Sequence, residues 1–214
     1  MMLSNMDFQT YISVLEVSGL LLIALISPGP DFAVIVRNSL VYSRKVGLMT
    51  ALGIALGSLL HVSYTLFGLG LIIRESSLMF LMVKFLGAAY LFYIGYLGLR
   101  AKKTGLALGD MQQKQEMSSL SALGSGFLTN ALNPKAMLFF ISLFSVVIPS
   151  NMPLSGMFLC GLIIFLETLV WFSFVAFCLS GKRTREKFNA VSHWIERLMG
   201  GILISLGLKL IFTV

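Results

Sequence analysis

Three charged side chains lie near the centres of apolar segments of this sequence: Asp31, Lys135 and Glu167. A charge near the centre of a membrane-spanning helix costs about 2.5–3.5 kcal/mol on insertion scales, so such residues usually bind ions, protons or substrates. A carboxylate can hold an ammonium group or carry a proton, and a lysine can hold a carboxylate. The residue types therefore predict a site for a small charged or zwitterionic solute.

Each of the three residues also has a structural alternative. Asp31 could offset a helix dipole or pair with Lys135, and Glu167 could hydrogen-bond a neighbouring helix. We favour a functional role for the two acids, as partners of a substrate ammonium group or as carriers of the coupling proton. For Lys135, binding of a substrate carboxylate and simple charge compensation remain equally open.

The motif Ser27-Pro28-Gly29-Pro30-Asp31 interrupts an apolar segment that runs from Tyr11 to Leu40. Proline lacks the N–H that completes the helical ladder, so the motif predicts a broken helix. We expect Ser27 to be the N-cap and Pro28 the first residue of the second half-helix. The free N–H groups and the positive dipole end at this point would favour an anion.

A second break is predicted at Asn133-Pro134-Lys135, inside the apolar segment from Ala122 to Ile148. Asn133 is a good N-cap, and together with Asn130 it could also hydrogen-bond a zwitterion. Trp171 either lines the site or is a buried or interfacial aromatic residue. The predicted substrate site comprises Pro28, Gly29, Pro30, Asp31, Asn130, Asn133, Pro134, Lys135, Glu167 and Trp171.

Composition places the chain in a membrane. Hydrophobic residues make up 57% and charged residues 12% of the 214 positions, whereas a soluble domain is about a quarter charged. The mean hydropathy is +0.90. The residues before Tyr11 include no Lys or Arg, so we expect no cleaved signal peptide. Six apolar segments are long enough to span a bilayer: Tyr11–Leu40, Val46–Ile73, Leu78–Leu99, Ala122–Ile148, Leu154–Leu179 and Ala190–Val214.

The net charge of +7 reports topology and predicts no nucleic-acid partner. The loops after segments one, three and five hold eleven Lys and Arg residues, whereas the opposite side has Arg74 and Lys209. Positive charge stays on the cytoplasmic side. Both termini are therefore predicted to be periplasmic, with the linker inside.

The two halves of the chain resemble each other. Ala24-Leu25 before Pro28 corresponds to Ala131-Leu132 before Pro134, and each half has three segments, an odd number. The second repeat must then lie upside down relative to the first, as in secondary transporters, which bind substrate where the broken helices meet. The predicted fold is an all-α integral membrane protein of six transmembrane helices in two inverted three-helix repeats. The expected divisions are a first repeat over 1–100, a cytoplasmic linker over 101–121 and a second repeat over 122–214.

Other classes of membrane protein fit the residue pattern less well. Cys160 and Cys178 are not next to either proline break, which argues against a thiol-disulfide carrier. His61 and His193 are the two histidines, and no hydrolase or metal-ligand set accompanies them, so we expect no enzyme, metal site or cofactor. Interhelical hydrogen bonding is the favoured role for His61. A metal-cation exporter on the same scaffold remains open.

The proline motifs also carry a family resemblance. Ser27-Pro28-Gly29-Pro30-Asp31-Phe32, Asn130 with Asn133-Pro134-Lys135-Ala136, and Glu167-Thr168-Leu169-Val170-Trp171-Phe172 resemble the LysE/RhtB family of amino-acid exporters, and the last motif is most similar to its threonine exporter branch. The resemblance implies a bacterial inner-membrane protein that exports threonine or a similar small neutral amino acid such as homoserine by proton antiport. Leucine, a cysteine derivative, a basic amino acid or a metal cation are alternative substrates. The expected partners are the amino acid, protons and the lipid bilayer, with a homodimer left open.

Overall fold

The computed structural model describes residues 8–75, 77–101, 116–149, 152–178 and 182–212. Within these ranges the chain is helical and contains no strand. The helices are α1 (Phe8–Ile26), α2 (Pro30–Val41), α3 (Arg44–Glu75), α4 (Ser77–Leu99), α5 (Ser119–Ala131), α6 (Pro134–Val147), α7 (Leu154–Cys178) and α8 (Lys182–Phe212). Most of the predicted linker falls at residues 102–115, outside the described ranges.

The first predicted break is confirmed, but its second half-helix begins two residues later than expected. α2 starts at Pro30. Its N-cap is Gly29, which has no side chain that could cap the helix. The proposed cap at Ser27 and start at Pro28 are therefore wrong. The ring of Pro30 disfavours helical backbone angles at the residue before it, so Gly29 stays extended and the helix can begin only at Pro30.

The second break has the predicted geometry. α6 starts at Pro134, and the side chain of Asn133 accepts a hydrogen bond of 3.0 Å from the backbone N–H of Lys135. This is the standard way for an asparagine to satisfy an orphan donor in the first turn of a helix. The axes of α5 and α6 differ by 56° across the break.

Two other helix boundaries differ from the expected segments. α5 begins at Ser119, capped by Ser118, so the helix starts inside the predicted linker. α8 begins at Lys182, which places the basic cluster before Ala190 in a helix and not in a loop. Lysine, arginine and glutamate are good helix formers, and residues 182–199 contain neither glycine nor proline to end a helix.

By length and composition, three helical stretches could each cross a membrane: Phe8–Ile26, Arg44–Leu66 and Leu154–Cys178. The bent pair of α5 and α6 makes a fourth when it is taken as one broken span. A shorter apolar stretch, Phe85–Leu99, lies in α4. The described residues thus support three to four spans, and the six-span arrangement stays a prediction.

Glycines bring α3 and α5 into backbone contact. A Cβ added at Gly53 would collide with the backbone of Leu123, and one at Gly126 would collide with the backbone carbonyl of Thr50. Small residues permit this close approach of membrane helices. The contact fixes α5, and hence the second break, against α3.

Two clusters of buried apolar side chains hold the two halves of the first broken helix. Leu21 of α1 belongs to a larger cluster with Phe140 of α6, whereas Phe32 of α2 belongs to a smaller one with Phe172 of α7. The break at residues 27–29 lies where the chain passes from the larger cluster to the smaller one. Polar residues from both helix breaks lie between the two clusters.

Candidate substrate site

A cavity of about 70 Å³ lies between the two broken helices, with its walls formed by both apolar clusters. Its apolar wall includes Leu21, Phe32, Phe140 and Phe172. Its polar lining residues are Ser27, Asp31, Ser58, Asn130, Asn133, Lys135 and Thr168. Five of the predicted site residues, Gly29, Asp31, Asn130, Asn133 and Lys135, therefore line one cavity.

Asp31 joins the two breaks. One oxygen of its carboxylate, Oδ2, accepts hydrogen bonds from the side-chain amides of Asn130, at 2.9 Å, and Asn133, at 3.2 Å. The other oxygen, Oδ1, is buried and has no hydrogen-bond partner among the described residues. A buried acceptor without a partner costs about 1–3 kcal/mol, so this oxygen is available to a donor on a ligand.

Asn130 contacts two residues of α3, His61 and Gly57. Its backbone carbonyl lies 2.9 Å from Nε2 of His61, and its side chain lies against Gly57, where an added Cβ would be 2.9 Å from its Oδ1. The His61 ring is 1% exposed, is 2.6 Å from the hydroxyl of Tyr64 through Nδ1, and stacks on Phe140. His61 therefore makes the interhelical contact that we favoured for it and positions an asparagine that in turn holds Asp31.

Lys135 crosses from the second break to the first. Its Nζ donates to the hydroxyl of Ser27 at 2.9 Å and to the carbonyl of Pro28 at 3.4 Å. Among the carboxylates that the structure describes, none lies within 4.0 Å of this ammonium group. An ammonium group has three donors, and two are used here, so one remains for a substrate carboxylate.

The first turns of both half-helices reach the same cavity. Gly29 and Asp31 line it from the start of α2, and Lys135 and Ala136 line it from the start of α6. The N-terminus of a helix carries a positive partial charge, which favours an anion. Pro30 and Pro134 stand at the first positions of these helices and shape them without lining the cavity.

Thr168 of α7 also lines the cavity, and its hydroxyl differs from those of other threonines in the helices. The hydroxyls of Thr50, Thr65 and Thr129 each donate to the carbonyl four residues earlier. Thr168 is 1% exposed, and its hydroxyl has no hydrogen-bond partner in the part of the chain that the structure describes. It can therefore both donate to and accept from a bound molecule.

Glu167 and Trp171 lie away from the lining of this cavity. One oxygen of Glu167 accepts a hydrogen bond from the hydroxyl of Ser18, which joins α7 to α1. The Trp171 ring packs at a tilt against Phe174, with 5.9 Å between ring centroids. A role for either residue in binding or proton coupling stays a prediction.

A second cavity, of about 190 Å³, adjoins the first. Four residues line both cavities: Ser27, Ile94, Lys135 and Leu203. Pro28, predicted for the substrate site, lines this second cavity, together with Glu196 of α8. Lys135 therefore stands between two spaces that each contain one carboxylate.

Sequence reasoning did not select Thr168 or Glu196 for the site. Thr168 directly follows Glu167, and on a helix it faces a direction about 100° away, towards the cavity. Glu196 precedes Arg197 near the start of the predicted segment 190–214, a position typical of interfacial residues, and no local pattern marks it. Across the described ranges, no three His, Cys, Asp or Glu residues come together in a way that could hold a metal ion.

An apolar helical bundle with charged groups at paired helix breaks is the architecture of a membrane transporter. A sequence profile for the LysE type translocator family matches residues 22–213. The chain belongs to this family, and it is a membrane transport protein, not an enzyme.

Three relatives illustrate the similarity. The threonine efflux protein of Escherichia coli K12 is 32% identical over 201 residues, 93% of this chain and 97% of that protein. The threonine efflux protein of Salmonella typhi is 33% identical over 194 residues, 90% and 94% of the two chains. An uncharacterized membrane protein of Bacillus subtilis is 29% identical over 197 residues, 86% and 91% of the two chains. No solved structure matches the chain significantly.

Proposed function

We propose that this protein exports threonine, or another small neutral amino acid such as homoserine, across the bacterial inner membrane in exchange for protons. The observation that carries the proposal is one cavity with two opposite charges. Asp31, which has one carboxylate oxygen without a partner, and Lys135, which has one spare donor, both line the cavity between the two helix breaks. A zwitterion satisfies both groups at once.

The carboxylate of the substrate binds to Lys135 and the half-helix N-termini. The ammonium group of Lys135 donates hydrogen bonds to Ser27 and Pro28, and these two bonds restrict the rotation of its third N–H. The positive ends of the α2 and α6 dipoles add to the attraction, since anions bind at helix N-termini. Neither feature needs a bound metal.

The ammonium group of the substrate binds to Asp31. Its Oδ2 is anchored by Asn130 and Asn133, which leaves Oδ1 as the acceptor for an N–H of the ligand. A charge-assisted hydrogen bond is about twice as strong as a neutral one. A single carboxylate in this cavity suits one ammonium group and therefore favours a neutral amino acid over a basic one.

The side chain of the substrate meets Thr168 and the apolar wall. The hydroxyl of Thr168 can pair with a hydroxyl on the substrate, which favours threonine or homoserine over leucine. The cavity volume of about 70 Å³ is several times the roughly 10–15 Å³ that a cavity needs to hold one water, and this modest size favours a small amino acid over a larger one. The names of the threonine efflux relatives agree with this preference.

Alternating access follows from two inverted three-helix repeats. In this scheme the broken helix formed by α1 and α2 corresponds to the broken helix formed by α5 and α6. Helix α3 corresponds to α7, and α4 corresponds to α8. The packing of α3 on α7 and of α4 on α8 supports the scheme, because helices near a two-fold axis contact their own counterparts. Both termini face the periplasm, by the distribution of Lys and Arg.

Protons drive release of the substrate on the outer side. Protonation of Asp31 removes the charge that holds the ammonium group and so weakens binding. Protonation of Glu167 changes its hydrogen bond to Ser18 and with it the contact between α1 and α7. Asp31 thus couples the proton to binding, and Glu167 couples it to the movement of helices.

The test is efflux of labelled threonine from preloaded cells, with and without a proton gradient. We expect Asp31→Asn to lower efflux at least tenfold, since a hydrogen bond to a charged group contributes about 1.5–3 kcal/mol. Glu167→Gln should uncouple efflux from the gradient. Glu16→Gln is the control, because Glu16 is a 44% exposed acid of α1 whose nearest described cation is Lys209 at 3.9 Å. Unchanged efflux in both Asp31→Asn and Glu167→Gln would refute the mechanism, and a screen of other amino acids and divalent metals would follow.

A further inference from the structure

We propose that the second cavity is a separate binding station for the amino acid, in which Glu196 holds the ammonium group and Lys135 holds the carboxylate. The inference rests on the proposed function and adds a second position for the same substrate. The observation behind it is that Lys135 lies in the shared wall of two cavities, with Asp31 in one and Glu196 in the other. Each cavity therefore offers one acid and the same cation.

The charges fit a zwitterion in either place. Lys135 is within electrostatic range of both Glu196 and Asp31, and His193 is also within electrostatic range of Glu196. Yet neither acid is within 4.0 Å of the Lys135 ammonium group in the structure. A gap between two opposite charges, filled by no described side chain, is the space that a zwitterion bridges.

The position of Glu196 is fixed by its own helix and by α4. Its neighbour Arg197 donates from Nε to the carbonyl of Ala101 at 3.2 Å, beyond the end of α4, and stacks on Trp194. One turn further, Gly200 meets Gly98 backbone to backbone: a Cβ on Gly98 would lie 3.1 Å from the Cα of Gly200. Glu196 therefore lines the second cavity at a close crossing of α4 and α8.

Sharing of one lysine imposes an order on transport. A single ammonium group with one spare donor binds one carboxylate at a time, so the two stations are not filled together. The substrate moves between them by exchanging Glu196 for Asp31 at its ammonium end while Lys135 keeps its carboxylate. With the proposed topology, the Glu196 station faces the cytoplasm and receives the amino acid first, since it lies beside the α4 end that leads into the linker.

The experiment measures protection of a cysteine in the second cavity by threonine. Leu97 lines the second cavity and not the first, and it is 49% exposed. Leu97→Cys is introduced into a cysteine-free parent that carries Cys160→Ala and Cys178→Ala. The resulting single-cysteine protein is purified into lipid nanodiscs, so that both faces are accessible, and is labelled with a thiol reagent. Threonine is expected to slow the labelling of this single-cysteine protein.

Variants of the two acids decide between the stations. We expect protection to persist in Asp31→Asn and to need at least tenfold more threonine in Glu196→Gln, a difference of about 1.4 kcal/mol. Glu196→Asp keeps the charge and should keep part of the protection. Equal labelling rates without threonine show that each variant is folded around the probe.

Three results would overturn the second station: no protection by threonine in the single-cysteine protein, undiminished protection when Glu196→Gln is added to it, or loss of protection when Asp31→Asn is added to it. The last result would mean that the probe reports the central cavity. Efflux by the cysteine-free parent is measured separately. If it exports threonine while protection fails, the second station is wrong and the proposed function stands; if it exports no threonine, the proposed function itself fails.

Discussion

Replacement of Thr168 by valine should change which amino acid the protein prefers. The substitution keeps the shape of the side chain and removes its hydroxyl. In the structure this hydroxyl is buried, lines the cavity and has no partner in the described part of the chain. Nothing in the protein should therefore be left unpaired by the change, and the fold should be preserved.

The size of the effect follows from the cost of an unpaired polar group. With valine at position 168, the hydroxyl of bound threonine is buried without a partner, which costs about 1–3 kcal/mol. Since about 1.4 kcal/mol is a factor of ten, the preference for threonine over valine should fall by about five- to 150-fold. The affinity for valine should stay constant or rise.

The assay compares two substrates of the same shape. Efflux of labelled threonine is measured against increasing unlabelled valine in vesicles that contain either the wild type or Thr168→Val. Thr168→Ser retains the hydroxyl and serves as the matched control, with a preference near that of the wild type. Thr129→Val tests a threonine outside the cavity lining whose hydroxyl is already bonded to its own helix, at 2.7 Å from the carbonyl of Ser125.

An unchanged ratio of threonine to valine in Thr168→Val would refute the proposed place of the substrate side chain. If Asp31→Asn abolished efflux at the same time, the binding of the zwitterion at Asp31 would still stand. The side chain of the substrate would then lie elsewhere in the cavity, against the aromatic wall. The result thus separates the orientation of the substrate from its site.

Two further substitutions test the frame around the site. Gly126→Ala should lower the thermal stability of the purified protein by about 1–3 kcal/mol, because the added Cβ collides with the α3 backbone; Gly124→Ala, which meets nothing within 4 Å, should not, and equal melting of the two would contradict the close contact. His61→Leu removes the donor to the Asn130 carbonyl and should raise the half-saturating threonine concentration for efflux about two- to twelvefold, the worth of one neutral hydrogen bond. Tyr64→Phe keeps that donor and should have a smaller effect; a larger one would show that the hydroxyl, and not the link to Asn130, matters.

The local signals of the sequence predicted the helix breaks well. Asn133 followed by Pro134 specifies a cap and a first helical residue, and the structure confirms both. At the first break two prolines compete for the same role, and the simpler choice of Pro28 was wrong. The rule that proline restricts the residue before it, applied to Gly29, would have selected Pro30.

The partners of the charged residues were harder to predict. Asp31 and Lys135 were expected to share a site, and the structure places both at one cavity. Their contacts, however, are neutral groups: Asn130 and Asn133 for the acid, and Ser27 for the lysine. Pairing across about a hundred residues depends on helix packing, which no local pattern encodes.

By itself the sequence determined that the chain is an apolar, helical membrane protein with two interrupted helices and a few buried charges, because propensity, capping and hydrophobicity act over a few neighbouring residues. The tertiary structure alone decided which polar atoms remain free. It turned Thr168 to the cavity, placed Glu167 against Ser18, and brought Glu196 to the same cavity as the lysine of the second break. These outcomes depend on the rotation and depth of each helix against its neighbours, set by backbone contacts such as that of Gly126 with α3, and so they emerge only when the whole bundle is packed.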